Sequence, residues 1–266
     1  VETERSVSPE GFSRPLALSP DGQLLVAGTS RDPGDRRHTV AIVDTETGEL
    51  RHRLGTRLDG ERGVFTSDTS TAVIPISRVV NETALPNSGL WLIDVATGEQ
   101  IGRGPPQNCI TAVALSSDDG LAATVACDGN VSLFAMELLA GDEPWTARLA
   151  GSSDDRTAGV GVMFGPADDI VIVTRADGRI EAFDADEGFA HRWSFDLGPH
   201  AGAPFVRDQR VWVGATRGFG AGTSGGAIAI PLDMDELVTL ASDTVTRELS
   251  AEECQEYLAR PACSAG

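Results

Sequence analysis

Leu16-Ala17-Leu18-Ser19-Pro20-Asp21-Gly22, followed by Leu24-Leu25-Val26-Ala27, is the stretch whose reading decides the fold. An apolar run, a tight polar turn and a second apolar run spell a β-hairpin. Asp and Gly suit such turns because both tolerate the positive φ that a short connection demands. A loop then leads to Val40-Ala41-Ile42-Val43-Asp44, a second turn at Glu46-Thr47-Gly48, and a strand from Leu50 to Leu54. The result is a four-strand unit, and it recurs with a period of about 45 to 50 residues, the spacing of propeller blades.

Working outward, Val64-Phe65 and Ala72-Val73-Ile74 precede Leu90-Trp91-Leu92-Ile93-Asp94 and the turn Ala96-Thr97-Gly98-Glu99. Ile110 to Leu115, Ala122 to Ala126 and Val131-Ser132-Leu133-Phe134 form the next unit. Val160 to Phe164, Ile170 to Val173 and Ile180 to Asp184 form a fourth. A fifth has Ala203 to Val206, Val211-Trp212-Val213 and Ala227 to Ile230, and lacks its last strand. Asp119-Gly120, Asp128-Gly129 and Asp177-Gly178 are expected to turn as Asp21-Gly22 does. The alternation Ile180-Glu181-Ala182-Phe183 has period 2, so strands win over helices. The predicted class is all-β: a β-propeller of about five four-stranded blades over residues 1–232, with a short helical tail over 233–266. A β-sandwich also uses short strands, but the recurrence of the whole unit favours blades. The segment Glu4 to Val7 either supplies the missing strand and closes a five-unit ring, sparing both edges, or ends a preceding blade of a larger ring.

The run at 16–22 resembles the opening of a WD-repeat blade. The hydrophobic-Asp-x-x-Thr-Gly turns at Asp44 and Asp94 are shared by WD repeats and quinoprotein-like repeats. No Gly-His pair opens a blade and no Trp-Asp pair closes one, so the blades are degenerate. WD-type rings usually have about seven blades, within the range open to propellers.

In the tail, Asp233 to Asp243 is a candidate helix with Leu237, Leu240 and Ala241 on one face. Ser250-Ala251-Glu252-Glu253 is a capping box, and a second helix should end before Pro261. The runs Asp233 to Leu237, Thr244 to Leu249 and Glu252 to Leu258 resemble the C-terminal end of actinobacterial proteins in which a WD-type propeller follows a STAND-type NTPase module. The resemblance implies a sensor or interaction module of a larger signalling protein. The chain contains no Lys, so a P-loop is impossible within it.

The net charge of −19 repels phosphate backbones and excludes direct binding to nucleic acid or anionic lipid. No apolar run approaches the roughly 18 residues of a membrane span. The charged stretch from Val1 has no n-region or apolar h-region, so no signal peptide is expected within these residues, while a targeting segment upstream of Val1 stays open. A cytoplasmic location is expected. Cys109, Cys127, Cys254 and Cys263 are too spread for a disulfide framework, and all four are expected as thiols. In an oxidising compartment Cys254 and Cys263 lie close enough in sequence to pair.

The rest of the chemistry is sparse. Gly222-Thr223-Ser224-Gly225-Gly226 fits G-x-S-x-G, but no helix follows and no His is near to act as base. His38, His52, His191 and His200 lack metal-ligand spacing. Asp184-Ala185-Asp186-Glu187-Gly188 starts like a calcium loop but lacks its third ligand and closing Glu. Asn81-Glu82-Thr83 matches a glycosylation sequon by pattern alone. No cofactor and no metal is expected, and the chain reads as a non-catalytic protein-interaction or sensor module. The rival reading is a quinoprotein-like or lactonase-like propeller enzyme or small-molecule binder.

In each blade the turns joining strands one to two and three to four share one end, and are expected to be short. The strand-two-to-three connections are long at Ser30 to His38, Arg78 to Gly89 and Arg217 to Gly226. Function gathers on loops held by a rigid scaffold. The expected binding residues are therefore Arg31, Arg36, Arg37, Arg78, Asn81, Asn87, Arg217 and Phe219. Arginine there suits carboxylate contacts with a protein partner, which is either a separate protein or an upstream NTPase module of the same polypeptide.

Overall fold

The hairpin read from residues 16–27 forms the first strand pair of the computed structural model. The structure describes residues 12–29, 39–56, 59–60, 62–77, 79–80, 83–84, 89–104, 107, 109–139, 148–150, 157–185, 190–197, 201–207, 210–216, 225–232, 236 and 239. In the first sheet β1 (Phe12–Leu18), β2 (Leu24–Thr29), β3 (Thr39–Asp44) and β4 (Leu50–Thr56) pair in chain order, antiparallel throughout.

The second sheet contains β5 (Asp59–Gly60), β6 (Val64–Phe65), β7 (Thr71–Ser77), β10 (Gly89–Asp94) and β11 (Gln100–Arg103). Its first strand is broken in two, since β5 and β6 both pair with β7. The break falls at Gly63, whose N–H donates to the Leu16 carbonyl of the first blade at 3.0 Å. A Cβ at Gly63 would sit 2.7 Å from the Val73 carbonyl oxygen, so only glycine lets the chain pass. Between β7 and β10 the chain adds a two-stranded sheet of its own, β8 (Val79–Val80) with β9 (Thr83–Ala84).

The third sheet is β12 (Ile110–Leu115), β13 (Leu121–Ala126), β14 (Val131–Ala135) and β15 (Arg148–Ala150). Here one expectation fails. The connection between its third and fourth strands is not a tight turn but spans 136–147 and begins with α1 (Met136–Leu139). The Asp-x-x-Thr-Gly residues that close this turn in the first two blades are absent after β14. The fourth sheet is β16 (Gly159–Phe164), β17 (Ile170–Arg175), β18 (Arg179–Asp184) and β19 (His191–Asp196). The fifth holds the three strands expected of it, β20 (Ala201–Arg207), β21 (Arg210–Thr216) and β22 (Gly225–Pro231).

The chain divides into two compact units. One comprises Val1–Cys127 with Ser132–Arg148, the other Asp128–Val131 with Leu149–Gly266. In the first unit the second sheet is packed on both faces. Ala72, Ile74 and Ile76 of β7 join Leu16, Val26, Val40 and Ile42 of the first sheet. Val73, pointing the other way, joins Leu90, Leu92, Ile110, Val113, Ala122 and Phe134. Alternation therefore sorts side chains between two apolar neighbours rather than between core and water. In the second unit Ile170, Ile172, Ile180, Ala182 and Trp193 pack on Val211, Val213 and Ile230.

The expectation of four thiols is corrected: Cys109 and Cys127 form a disulfide, with Cα atoms 5.5 Å apart. Paired strands bring them together, since the Cys127 N–H donates to the Cys109 carbonyl at 2.9 Å. Their sequence spacing carried no sign of that register. Cys254, Cys263, the capping box at 250–253 and the segment Glu4 to Val7 lie outside the described residues. Of the tail, Glu236 and Thr239 are described, and both are helical.

Candidate functional site

In the first four blades the end that carries the one-to-two turn is closed by its own hydrogen bonds. In the first blade the Ser19 hydroxyl donates to Asp21 Oδ1 (2.6 Å) and accepts from Leu24 N–H (2.8 Å), while Asp21 Oδ1 accepts from Gln23 N–H (3.0 Å). Thr66 and Asp68 repeat this in the second blade, and Ser116 and Asp118 in the third. The fourth blade has Gly165 and Ala167 at these places, so the hydroxyl and carboxylate of the motif are missing there, and it keeps the backbone bonds Gly165 N–H to Ile170 O and Asp168 N–H to Gly165 O.

The two turns at this end are also joined to each other. The residue after the third strand donates its N–H to the carbonyl of the fifth turn residue in four blades. The pairs are Thr45 to Gln23, Val95 to Ser70, Met136 to Gly120 and Ala185 to Asp169, at 2.8–2.9 Å. In the first unit neighbouring blades are stitched as well, because Asp119 Oδ2 accepts from both the N–H and the hydroxyl of Ser67, each at 2.7 Å.

These bonds favour ionised carboxylates. The Ser19 hydroxyl and Gln23 N–H hold Asp21 below its ordinary value. The Thr47 N–H, then Arg51, pull Asp44 down to about 2. Asp68 is lowered by Ser70 N–H and Thr66, Asp94 chiefly by Thr97, and Asp118 by Ser116 and Gly120 N–H. This end of the blades is thus anionic and internally satisfied.

The other end, carrying the two-to-three connections, differs from blade to blade. Arg31, Arg36, Arg37, Arg78, Asn81, Asn87, Arg217 and Phe219 all lie outside the described residues, as do Gly222 to Ser224. What is described is where their segments are rooted. The segment 30–38 joins Thr29 to Thr39, and β8 and β9 rise between Ser77 and Gly89, with Asn81 and Glu82 joining them. The segment 217–224 joins Thr216 to Gly225 in the second unit, where those two residues are paired in register.

Two short connections at this end are the Asp-Gly turns expected at Asp128-Gly129 and Asp177-Gly178, which the sequence did not assign to the binding face. Cys127 to Asn130 and Ala176 to Arg179 share the order x-Asp-Gly-x. In both, the Gly adopts positive φ and the Asp side chain accepts an N–H two residues on. Beside them is the Arg175–Glu181 ion pair, at 2.6 Å with side chains 1% and 6% exposed. The sequence signal was a lone acid inside an apolar strand and an Arg ending the run Ile170 to Thr174. Among the described residues no group of three or more His, Cys, Asp or Glu is placed to hold a metal ion. Among them too, no helix is long and apolar enough to cross a membrane.

No protein-family model matches the chain, and no curated protein does. The β-propeller domain of Cps50 (Swd1) from Myceliophteria thermophila, known from a crystal structure, matches over 80% of this chain with a TM-score of 0.58 and 14% identity. The fold is a β-propeller. The chain spans 64% of the length of that propeller domain. With identity this low, the fold is what the two share, and the propeller fold leaves the partner open.

Proposed function

We propose that this propeller is a non-catalytic interaction module of WD-repeat type. It takes a protein partner on the two-to-three end of the first unit, through the segments 30–38 and 78–88. Arg31, Arg36, Arg37 and Arg78 meet acidic groups of that partner, and Asn81 and Asn87 supply adaptable hydrogen bonds. Arg217 and Phe219 give the second unit a connection of the same kind. The observation that carries the reading is the asymmetry between blade ends. The one-to-two turns spend their polar groups on themselves and on each other, whereas the variable segments sit on the strand-two-to-three side, where a rigid sheet can present them. The partner is either a separate protein or a STAND-type NTPase module upstream in the same polypeptide, with residues 233–266 as a tail beside the propeller.

The test compares capture of protein partners by the purified chain, by Arg36→Glu/Arg37→Glu, and by Arg51→Glu at the other end of the first blade. The double variant should lose at least about tenfold in affinity, roughly 1.4 kcal/mol, while Arg51→Glu keeps wild-type binding. Equal capture by all three removes the site. A metal or small-molecule cofactor co-purifying with no protein partner removes the function.

A further inference from the structure

Among the described residues Arg175 is the largest fully buried side chain, and its surroundings explain a conformation more readily than a stability. Register places it. Val173 pairs with Glu181 across β17 and β18, so Glu181 shares a sheet face with Val173 and, two residues on, with Arg175. The guanidinium then works in two directions. Nε donates to Glu181 Oε2 at 2.6 Å, and Nη1 donates to the carbonyl of Gly129. Nη2 has no partner among the described residues.

Gly129 belongs with Asp128–Val131 to the same compact unit as Arg175. It sits at φ 85°, inside a turn braced by Asn130 N–H and Nδ2 on Asp128. The hairpin carrying Arg175 turns at Asp177-Gly178, where Gly178 N–H donates to the Arg175 carbonyl at 3.0 Å. Arg179 lies 3.9 Å from Glu181 Oε1 and 3.5 Å from Asp177 Oδ2.

We propose that Arg175 is a positioning residue that fixes the Asp128–Val131 turn against the Ala176–Arg179 turn, so that the two x-Asp-Gly-x connections open and close as one element. A buried ion pair is a poor source of net stability, because desolvating both charges offsets their attraction. Its distinctive contribution is geometric: a rigid planar fork fixes the carboxylate and the carbonyl at set directions from each other, which the rotatable donors of an ammonium on a flexible stem do not. Glu181 sets the guanidinium, and the guanidinium sets the Gly129 carbonyl. The turn is braced besides by its own Asp128–Asn130 pair and, at Cys127, by the disulfide to Cys109.

The test is amide hydrogen exchange, resolved over 128–131 and 176–179, in wild type, Arg175→Lys and the apolar pair Arg175→Met/Glu181→Leu. Both variants should exchange at least about tenfold faster in both turns together, while the melting temperature of the apolar pair stays at or above wild type. Wild-type exchange over 128–131 in either variant overturns the proposal. So does a large loss of stability in the apolar pair, which would make the ion pair a stabilising rather than a positioning element. In the wild-type protein itself, the Arg175 Nε–H should exchange slowly with water by nitrogen-15 NMR. Exchange as fast as that of an exposed arginine overturns it as well.

Discussion

Four equivalent turn positions take left-handed backbone angles, and three of them are not glycine: Gly22 (φ 73°), Thr69 (63°), Asp119 (57°) and Asp168 (56°). The frame is set by backbone bonds that all four turns share, from the fourth residue's N–H to the first residue's carbonyl and from the first residue's N–H to the carbonyl that follows the turn. They hold in the fourth blade too, which lacks the Ser/Thr-x-Asp side chains. This is why Asp119, and not Gly120 as its Asp-Gly pair suggested, is left-handed. The extra Asp in the third blade moves the glycine one place beyond the frame. Threonine is β-branched and costly there. Thr69→Gly should therefore raise unfolding stability by about 0.5–1 kcal/mol, after allowing for the looser unfolded chain. Asp119→Gly relieves the same strain but deletes both bonds to Ser67. It should lower stability by about 1 kcal/mol. Urea unfolding separates the two, and equal signs would deny the Ser67–Asp119 stitch a role.

At the scale of the element, the hydroxyl–carboxylate turn is the part that repeats, and it makes the blades acid-sensitive. Asp21, Asp44, Asp68, Asp94 and Asp118 all ionise more readily when folded than free. Groups with depressed values stabilise the fold above the unfolded carboxylate value of 3.8, and that contribution fades as pH falls through the folded values, about 2 for Asp44. Calorimetric melting temperatures should therefore drop as pH is lowered from about 4 toward about 2, and less steeply in Asp44→Asn. A level profile across that window would show that the turn carboxylates do not matter to folding.

The fourth blade tests the motif from the opposite direction. Replacing Gly165 by Ser restores the missing hydroxyl, yet its Cβ would meet Ile170 Cγ1 at 2.5 Å. Gly165→Ser should destabilise by about 1–3 kcal/mol through overpacking, and a gain would mean that Ile170 yields. Strands were legible because period-2 runs and turn residues are local. The broken first strand of the second blade was not, because it depends on Gly63 meeting Leu16 and Val73 from other parts of the chain.

Across the whole molecule the same division holds. Blade order follows from a repeat that each unit writes in its own residues, so the propeller could be read before any contact was known. Pairings that join distant positions left no local trace: Ser67 with Asp119, Arg175 with Gly129, and Cys109 with Cys127. The proposed binding residues were chosen for the opposite reason, that nothing local gave their segments a turn to form. The disulfide is the long-range pairing with the largest expected effect on folding. It closes a loop with a sequence separation of 18, and restricting the unfolded chain over such a loop is worth about 3 kcal/mol. Reduction, or Cys109→Ser/Cys127→Ser, should lower the melting temperature by roughly 5–10 °C for a chain of this size. Alkylation followed by peptide mass spectrometry reads the pairing directly: both residues should resist a thiol reagent until a reductant is added. Because such bonds persist in oxidising compartments and are rare in a reducing cytosol, protein isolated from its own cells under quenched conditions extends the result. An oxidised pair there argues against the cytoplasmic location expected from the composition, whereas ready alkylation of both residues would remove the disulfide and restore that expectation.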